Sequence, residues 1–191
     1  MKPETIENIL NFLKEKEDKE LPNRWLKFLN KQEVIKELEN HPDGVQYRHN
    51  SFLDLRNTNI KKLPNDLYVD GNFNLRGCEQ ITELPNKLFV GGYLSLLNCE
   101  QITELPDGIH VGGDLNLSGI NITKLPDDLY VGGVLDLIDC KRLTELPNNL
   151  YVEYGVLIEG TPLVQKYSDK EIKDIVASKG GTIKGRIIRT Y

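Results

Sequence analysis

Three cysteines carry the greatest chemical potential in this chain, since a thiolate can act as a nucleophile, ligate a metal ion or form a disulfide. They are Cys78, Cys99 and Cys140, and they recur at one position of a repeating pattern. No Cys-x-x-Cys spacing is present, so a zinc site is not expected. Two alternatives remain: a buried row of small side chains that satisfies loop amides, or a disulfide between Cys78 and Cys99. The odd number of cysteines argues against the disulfide.

Other catalytic patterns are missing from the sequence. The histidines, His41, His49 and His110, do not stand with a cysteine in the pattern that nucleophilic catalysis requires. The acid pair Asp127-Asp128 follows a Leu-Pro dipeptide, in a loop where Asp and Asn recur because turns favour them. The chain has neither a phosphate-binding glycine loop nor a Gly-x-Ser-x-Gly motif. We therefore predict that the protein is not an enzyme and uses no cofactor or metal ion.

An internal repeat fixes the position of each of these residues. Leu-Pro pairs begin at intervals of 21, 21, 20 and 21 residues, at Leu63, Leu84, Leu105, Leu125 and Leu146. The same phase extends outward on both sides, so that about six rungs cover residues 51–163. A fixed period in this range predicts a solenoid, in which stacked rungs bury a continuous column of Leu, Ile and Val side chains.

Each rung contains two segments in which apolar and polar residues alternate, as they do in strands with one buried face. One has the form x-Leu-x-Leu-x, as in residues 114–118, and the other the form Leu-x-Val, as in residues 129–131. The Leu-Pro bend between them is predicted to be irregular, because proline cannot donate a hydrogen bond to a sheet. Gly-Gly pairs follow the second segment, and we expect them to adopt positive φ in a tight return.

Together, these motifs resemble the leucine-rich-repeat family. They are closest to the short Leu-Pro-containing repeats of bacterial secreted effectors and of repeat proteins from tailed-phage and bacterial genomes. The resemblance covers about three fifths of the chain. It implies a leucine-rich-repeat solenoid of the α/β horseshoe class, right-handed and curved. The sheet would be mainly parallel β, on the concave side. The segment Leu-x-Val-x-Gly departs from the family, since it predicts a short second strand on the convex side where many repeats have a helix.

The chain departs from the family at the ladder position, which usually holds asparagine. That position is occupied here by Thr58, Cys78, Cys99, Ile120, Cys140 and Thr161. Ile120 cannot hydrogen-bond through its side chain, and its rung is also shorter by one residue. In the effectors that carry this repeat, a large ligase domain follows it. About 28 residues follow Leu163 here, so ligase activity is not expected.

The solenoid, residues 48–163, is predicted to lie between two caps. Residues 1–47 are polar with helical periodicity, and we predict a helical N-terminal cap over the open end of the solenoid. It would contain three short helices, around residues 6–13, 25–29 and 34–38. A separate helical module that binds a partner is the alternative.

Residues 164–191 are predicted to form a small α/β C-terminal cap. Ser168 and Glu171 make a capping box that begins a helix, and a strand or hairpin around Gly185 follows. From residue 165 onward there are seven Lys and Arg against three Asp and Glu, a local charge of +4 that leaves −9 for the rest. This basic end either complements the acidic solenoid or contacts an acidic partner or phosphate. The residues expected to make that contact are Lys184, Arg186 and Arg189.

The outward positions of the concave sheet form the predicted partner-binding surface, because core packing does not dictate them. An apolar group stands there among polar residues, as a protein-binding site requires. Its members are Tyr93, Leu97, Val134 and Ile138, with Arg56 and Arg76 as a charged flank. Scattered apolar surface residues, which are common in any protein, are the alternative.

An aromatic ladder is predicted on the convex side, at the middle position of Leu-x-Val. Its members are Tyr68, Phe89, His110, Tyr130 and Tyr151. We expect ring stacking between adjacent rungs, each pair contributing ~0.5–1.5 kcal/mol. Besides purely structural stacking, the alternatives are a homo-oligomer interface, a dock for a terminal helix and a platform for nucleobases.

Composition limits the partners and the compartment. The chain of 191 residues has a net charge of −5, which counts against general nucleic-acid binding. No run approaches the ~18 apolar residues of a membrane helix, and the N-terminus lacks the apolar core of a signal peptide. We predict a cytoplasmic protein, in the host cytoplasm if it is encoded by a phage. Export as an effector is the alternative.

The repeat predicts a non-catalytic protein–protein interaction module that binds and blocks or sequesters a partner. The phage resemblance implies an inhibitor of a host defence or regulatory protein. Two alternatives come from other classes: a small-molecule or nucleotide binder that uses the aromatic ladder, and a self-assembling structural protein.

Overall fold

The computed structural model describes residues 23–42 and 45–189, with side chains from residue 31 onward. The chain divides into two compact units, Met1–Val34 and Ile35–Tyr191. One helix, α1, runs from Asn23 to Glu39.

The two short helices predicted around residues 25–29 and 34–38 are therefore one helix, and the prediction of a break was wrong. The intervening residues 30–33 include lysine, glutamine and glutamate, which are good helix formers. The helix predicted around residues 6–13 lies outside the described residues.

Fourteen short strands form two parallel sheets in the second unit. In spatial order, the first sheet contains β1 (Arg48–His49), β3 (Tyr68–Val69), β5 (Phe89–Val90), β7 (His110–Val111), β9 (Tyr130–Val131), β11 (Tyr151–Val152) and β13 (Thr182–Ile183). The second sheet, in the reverse order, contains β2 (Leu53–Asp54), β4 (Phe73–Asn74), β6 (Leu94–Ser95), β8 (Leu115–Asn116), β10 (Val134–Asp136), β12 (Gly155–Leu157) and β14 (Arg186–Ile188).

In every rung the chain passes from the first sheet to the second and back. Each strand therefore pairs, within its own sheet, with the strands of the preceding and following rungs. Their register is direct: Leu94 pairs with Leu115, and Leu115 with Leu135. These leucines are fully buried, as are the valines of the other sheet, such as Val111 and Val131. The predicted parallel β-solenoid with two short strands in each rung is confirmed.

The Gly-Gly pairs serve a different purpose from the one predicted. None of Gly91, Gly112 and Gly132 has positive φ. A Cβ atom on Gly112 would lie 2.4 Å from the carbonyl oxygen of Gly91, and one on Gly132 would lie 2.2 Å from that of Gly112. Glycine is required at this corner because the backbones of successive rungs approach too closely for any side chain.

Positive φ occurs instead at two other positions of the rung. One precedes the ladder position: Asn57, Gly77, Asn98, Gly119, Asp139 and Gly160. The other follows the Leu-Pro bend: Asp66, Lys87, Gly108, Asp128 and Asn149. Asn, Asp and Gly tolerate this left-handed conformation best, which explains their recurrence there. Lys87 is the exception.

The C-terminal segment contains two helices, α2 (Pro162–Lys166) and α3 (Asp169–Ser178). The predicted capping box at the start of α3 is present, with Ser168 and Glu171 satisfying each other's backbone N–H groups. The hairpin alternative around Gly185 is wrong, since β13 and β14 belong to different sheets and continue the solenoid. No helix in the described part of the chain is long and apolar enough to cross a membrane.

Candidate interaction surface

The outward face of the second sheet carries three rows of side chains, and the middle row has a structural role. The side chains of Asp54, Asn74, Asn116 and Asp136 each accept a hydrogen bond, at 3.0–3.1 Å, from the backbone N–H two residues further on. Short polar side chains are favoured in this local turn. The expectation that structure does not dictate the outward positions is therefore wrong for this row.

Tyr93 leans toward the N-terminal end of the sheet. Its ring centroid lies 6.3 Å from that of Phe52, and its hydroxyl accepts a hydrogen bond from Nδ2 of Asn74 at 3.3 Å. Phe52 is 46% exposed. Phe52 is not among the residues predicted for the site, although it stands in the same row as Tyr93.

The predicted apolar group is divided in two. Leu97, on the side of Tyr93, and the pair Val134 and Ile138 are all half-buried. The strand β8 lies between them in the sheet, so the two halves are roughly 10 Å apart at the usual strand spacing. Asp114 and Ser118 flank β8 in the intervening rung.

The two flanking arginines differ. Arg56 forms an ion pair of 2.9 Å with Asp54 in its own rung, which compensates its charge. Arg76 is exposed, and its side chain makes no ion pair within the described residues. Asn74 links it to Tyr93, because Oδ1 of Asn74 accepts from the Arg76 backbone N–H and Nδ2 donates to the Tyr93 hydroxyl. We call Phe52, Tyr93 and Arg76, which share this outward face, the aromatic–arginine patch.

The aromatic ladder stacks as predicted. The ring centroids of Tyr68, Phe89, His110, Tyr130 and Tyr151 follow one another at 4.1, 4.9, 4.5 and 5.0 Å, with interplanar angles of 8° or less. The in-register parallel strands of the first sheet hold adjacent rings face to face.

Cations cover both ends of the ladder. The guanidinium of Arg48 lies 4.6 Å from the ring centroid of Tyr68, and the ammonium of Lys184 lies 5.3 Å from that of Tyr151. Asp70 fixes Arg48 by an ion pair of 2.8 Å. Cations are attracted to ring faces, so every ring face in the ladder has a neighbour and none is open to a stacking nucleobase.

Electrostatic partners reinforce the C-terminal end of this ladder. The Glu153 carboxylate accepts hydrogen bonds from the Tyr151 hydroxyl and from Lys184. These two donors lower the pKa of Glu153. Hydrogen bonding to Tyr151 and then to Glu153 raises the pKa of Lys184. Within the ladder, burial lowers the pKa of His110, which favours its neutral, stacked form.

The cysteines form the predicted buried ladder, and they bond to carbonyl oxygens as well as to loop amides, such as the backbone N–H groups of Gly77 and Cys78 beside Cys99. The Sγ atoms of Cys78, Cys99 and Cys140 donate to leucine carbonyl oxygens of the preceding rung at 3.0–3.1 Å. All three are free thiols, so the disulfide alternative is not present. Burial raises the pKa of Cys99 to about 11 and that of Cys140 to about 12. They remain protonated and can donate.

The two threonines at the ladder position donate in the same way, within their own rungs: Thr58 to the Leu55 carbonyl at 2.7 Å and Thr161 to the Ile158 carbonyl at 2.8 Å. Ile120 is buried and fills its position by packing alone.

The basic C-terminal residues serve mainly internal contacts. Arg189 donates to the carboxylate of Asp169 and to the carbonyl oxygens of Val164 and Tyr167 at 2.6–2.9 Å. It thereby joins β14 to the two helices. Since Lys184 is held by Glu153, only Arg186 of the three predicted contact residues remains exposed without an ion pair in the described part of the chain.

Residues 23–42 and 45–189 contain no cluster of histidine, cysteine or acidic side chains that could hold a metal ion. Comparison with protein-family models, with curated proteins and with solved structures gave no significant match.

Proposed function

We propose that this protein is a non-catalytic interaction module that binds another protein through the outward face of its second sheet and thereby blocks or sequesters it. The observation that carries the proposal is the aromatic–arginine patch of Phe52, Tyr93 and Arg76. Aromatic residues and arginine dominate the binding energy of protein interfaces. A rigid solenoid holds them in fixed positions, which lowers the entropic cost of binding.

The aromatic ladder supports this proposal over a nucleotide binder. Stacking of a base requires an open ring face, and here neighbouring rings and the cations of Arg48 and Lys184 cover the faces. We assign the solenoid to the leucine-rich-repeat type on its motifs. From the same resemblance, we propose that it acts in the cytoplasm, as a phage-encoded inhibitor of a host defence or regulatory protein.

The experiment is a quantitative pull-down from bacterial lysate with three baits: the wild type, Tyr93→Ser/Arg76→Glu, and a matched control. The control, Tyr154→Ser/Arg142→Glu, changes the same residue types at exposed positions outside the patch. We expect one protein at near-equal stoichiometry with the wild type and the control, and at least about a tenfold loss with the patch variant, equivalent to ~1.4 kcal/mol.

A second variant, Leu97→Asp/Ile138→Asp, tests whether the divided apolar group contributes as well. Thermal unfolding of each bait checks that it is folded. Equal recovery of the partner by the wild type and the folded patch variant would exclude this face as the binding site. If no bait retains a partner, the proposed function fails.

A further inference from the structure

The second sheet ends in an open edge at β14. Within the described residues, β14 pairs with β12 and has no neighbour on its other side. The N–H of Ile158 donates to the carbonyl oxygen of Ile188. In a parallel sheet, backbone groups of successive residues point to opposite neighbours. The N–H and C=O of Ile187 therefore point away from the sheet, where an added strand would find them.

The side chains next to this edge offer both an apolar and a charged contact. Ile188 is 40% exposed and pairs in register with the half-buried Leu157, so the two form a continuous apolar shelf. Two residues before Ile188, on the same face, Arg186 is exposed beside Gly155. Because Gly155 has no side chain, it leaves the Arg186 side chain uncovered on this face.

The edge is fixed before any partner arrives. Lys184 precedes β14 and forms an ion pair of 3.0 Å with Glu153. Arg189 follows β14 and joins Asp169 and two carbonyl oxygens of the helical segment. A strand held at both ends loses little entropy when a second strand pairs with it.

The positive charge around the edge of β14 favours an acidic partner segment. The segment from residue 165 onward carries a net charge of +4, so a second copy of the same edge would be repelled. Basic residues on an edge strand discourage self-pairing, and they attract carboxylates.

We propose that β14 is a site for strand addition, where an extended segment of a partner protein pairs with Ile187. Such a segment places a carboxylate opposite Arg186 and, two residues away, a branched apolar side chain on the shelf of Leu157 and Ile188. Main-chain hydrogen bonds supply affinity and alternate side chains supply specificity in this mode of recognition. The inference rests on the proposed protein-binding function and names a second contact and its chemistry.

The test uses a fluorescently labelled, threonine-rich peptide. It carries one glutamate and one valine two residues apart, on the same face of the extended chain, so that only the proposed contacts are present. Binding to the full chain is measured by anisotropy. Two altered peptides accompany it, one with lysine in place of glutamate and one with the central backbone nitrogens methylated. The protein variants are Arg186→Glu and, as the matched control at an exposed position outside both proposed binding sites, Arg142→Glu.

We expect the glutamate peptide to bind at least about tenfold more tightly than either altered peptide. Arg186→Glu should reverse the preference in favour of the lysine peptide, and Arg142→Glu should leave it unchanged. Failure of the glutamate peptide to bind, equal binding of the methylated peptide, or an equal effect of the two variants would overturn strand addition at β14. Because the probe is synthetic, this outcome does not depend on whether the lysate pull-down finds a partner.

Discussion

Arg48 and Lys184 close the two ends of a single column of rings, Arg48 over Tyr68 and Lys184 beside Tyr151. Each cation is held by a carboxylate of the neighbouring rung, the rung whose ring the cation covers: Asp70 for Arg48 and Glu153 for Lys184. A stack of rings in a β-solenoid would otherwise end in an apolar face at each terminus. A cation is attracted electrostatically to the face of the terminal ring, and its other side remains hydrated.

The ladder should contribute to stability through its interior rings. Tyr130 lies between His110 and Tyr151, at centroid distances of 4.5 and 5.0 Å. Because each stacked pair contributes ~0.5–1.5 kcal/mol beyond area burial, Tyr130→Ala should lower the free energy of unfolding by about 1–3 kcal/mol. Chemical denaturation followed by circular dichroism measures this loss.

Tyr154→Ala is the control, since Tyr154 is 70% exposed and belongs to no stack. It should change the free energy of unfolding by less than about 0.5 kcal/mol. Similar losses for the two variants would mean that the stacking contributes nothing beyond ordinary surface contacts.

Stability should fall in mild acid because of His110. Burial lowers its pKa in the folded protein, whereas in the unfolded chain it stays near the ordinary value of about 6.5. Below that pH the unfolded state binds more protons, so the free energy of unfolding decreases until the pH passes the lower, folded pKa. His110→Tyr, which matches Tyr130 in the next rung, should remove this component.

The measurement compares unfolding of the wild type and His110→Tyr at pH 7.5 and pH 5. The variant should lose less stability than the wild type between these two values. Parallel pH profiles would show that protonation of His110 is not coupled to folding, since all other titrating groups are the same in both proteins.

Short-range patterns predicted much of this architecture. The strands, the ring stack and the capping box at Ser168 follow from residues one period or a few positions apart. The role of the Gly-Gly pairs could not be predicted from the sequence. A glycine such as Gly112 is compatible both with a positive φ and with a close approach of two backbones, and the sequence does not distinguish them. The orientation of the Tyr93 side chain toward Phe52 depends on the space that neighbouring rungs leave, so the sequence of one rung does not predict it.

The 20–21-residue period does not assign the strands around Gly185 to the solenoid, because two helices lengthen their rung. Thr182 pairs with Tyr151, 31 residues earlier, instead of about 21. The pattern was nevertheless present: Ile183 and Ile187 repeat the spacing of Val152 and Val156, and pair with them. The strand-pair pattern therefore indicates this last rung independently of the interval.

The thiols should be inert in the folded protein. Cys78, Cys99 and Cys140 have no exposed surface, and burial raises the pKa of Cys99 to about 11. At pH 8 only about one part in a thousand of such a thiol is thiolate, the reactive form. We expect no reaction with a disulfide reagent such as dithionitrobenzoate under native conditions, and reaction of all three thiols in guanidinium chloride.

The rate of that reaction provides a further check. If modification requires unfolding, the rates for the three cysteines should rise together with denaturant. Rapid modification of one cysteine in buffer alone would indicate a local opening of its rung and would contradict the buried ladder.

Lys87 is the residue least suited to its backbone. Its φ is +55°, at a position where other rungs have Gly108, Asp128 or Asn149. The left-handed conformation costs a lysine roughly 1–2 kcal/mol, whereas asparagine visits it readily. Lys87→Asn should therefore raise the free energy of unfolding by about 0.5–1 kcal/mol, measured by chemical denaturation.

Two further variants separate backbone conformation from charge. Lys124→Asn makes the same change at an exposed site without positive φ, and should alter the free energy of unfolding by less than about 0.5 kcal/mol. Gly108→Lys makes the reverse change where φ is +70° and a Cβ would meet nothing within 4 Å, so it should cost about 1 kcal/mol from conformation alone. A gain from Lys124→Asn equal to that from Lys87→Asn would assign the effect to charge, and the backbone explanation would be wrong.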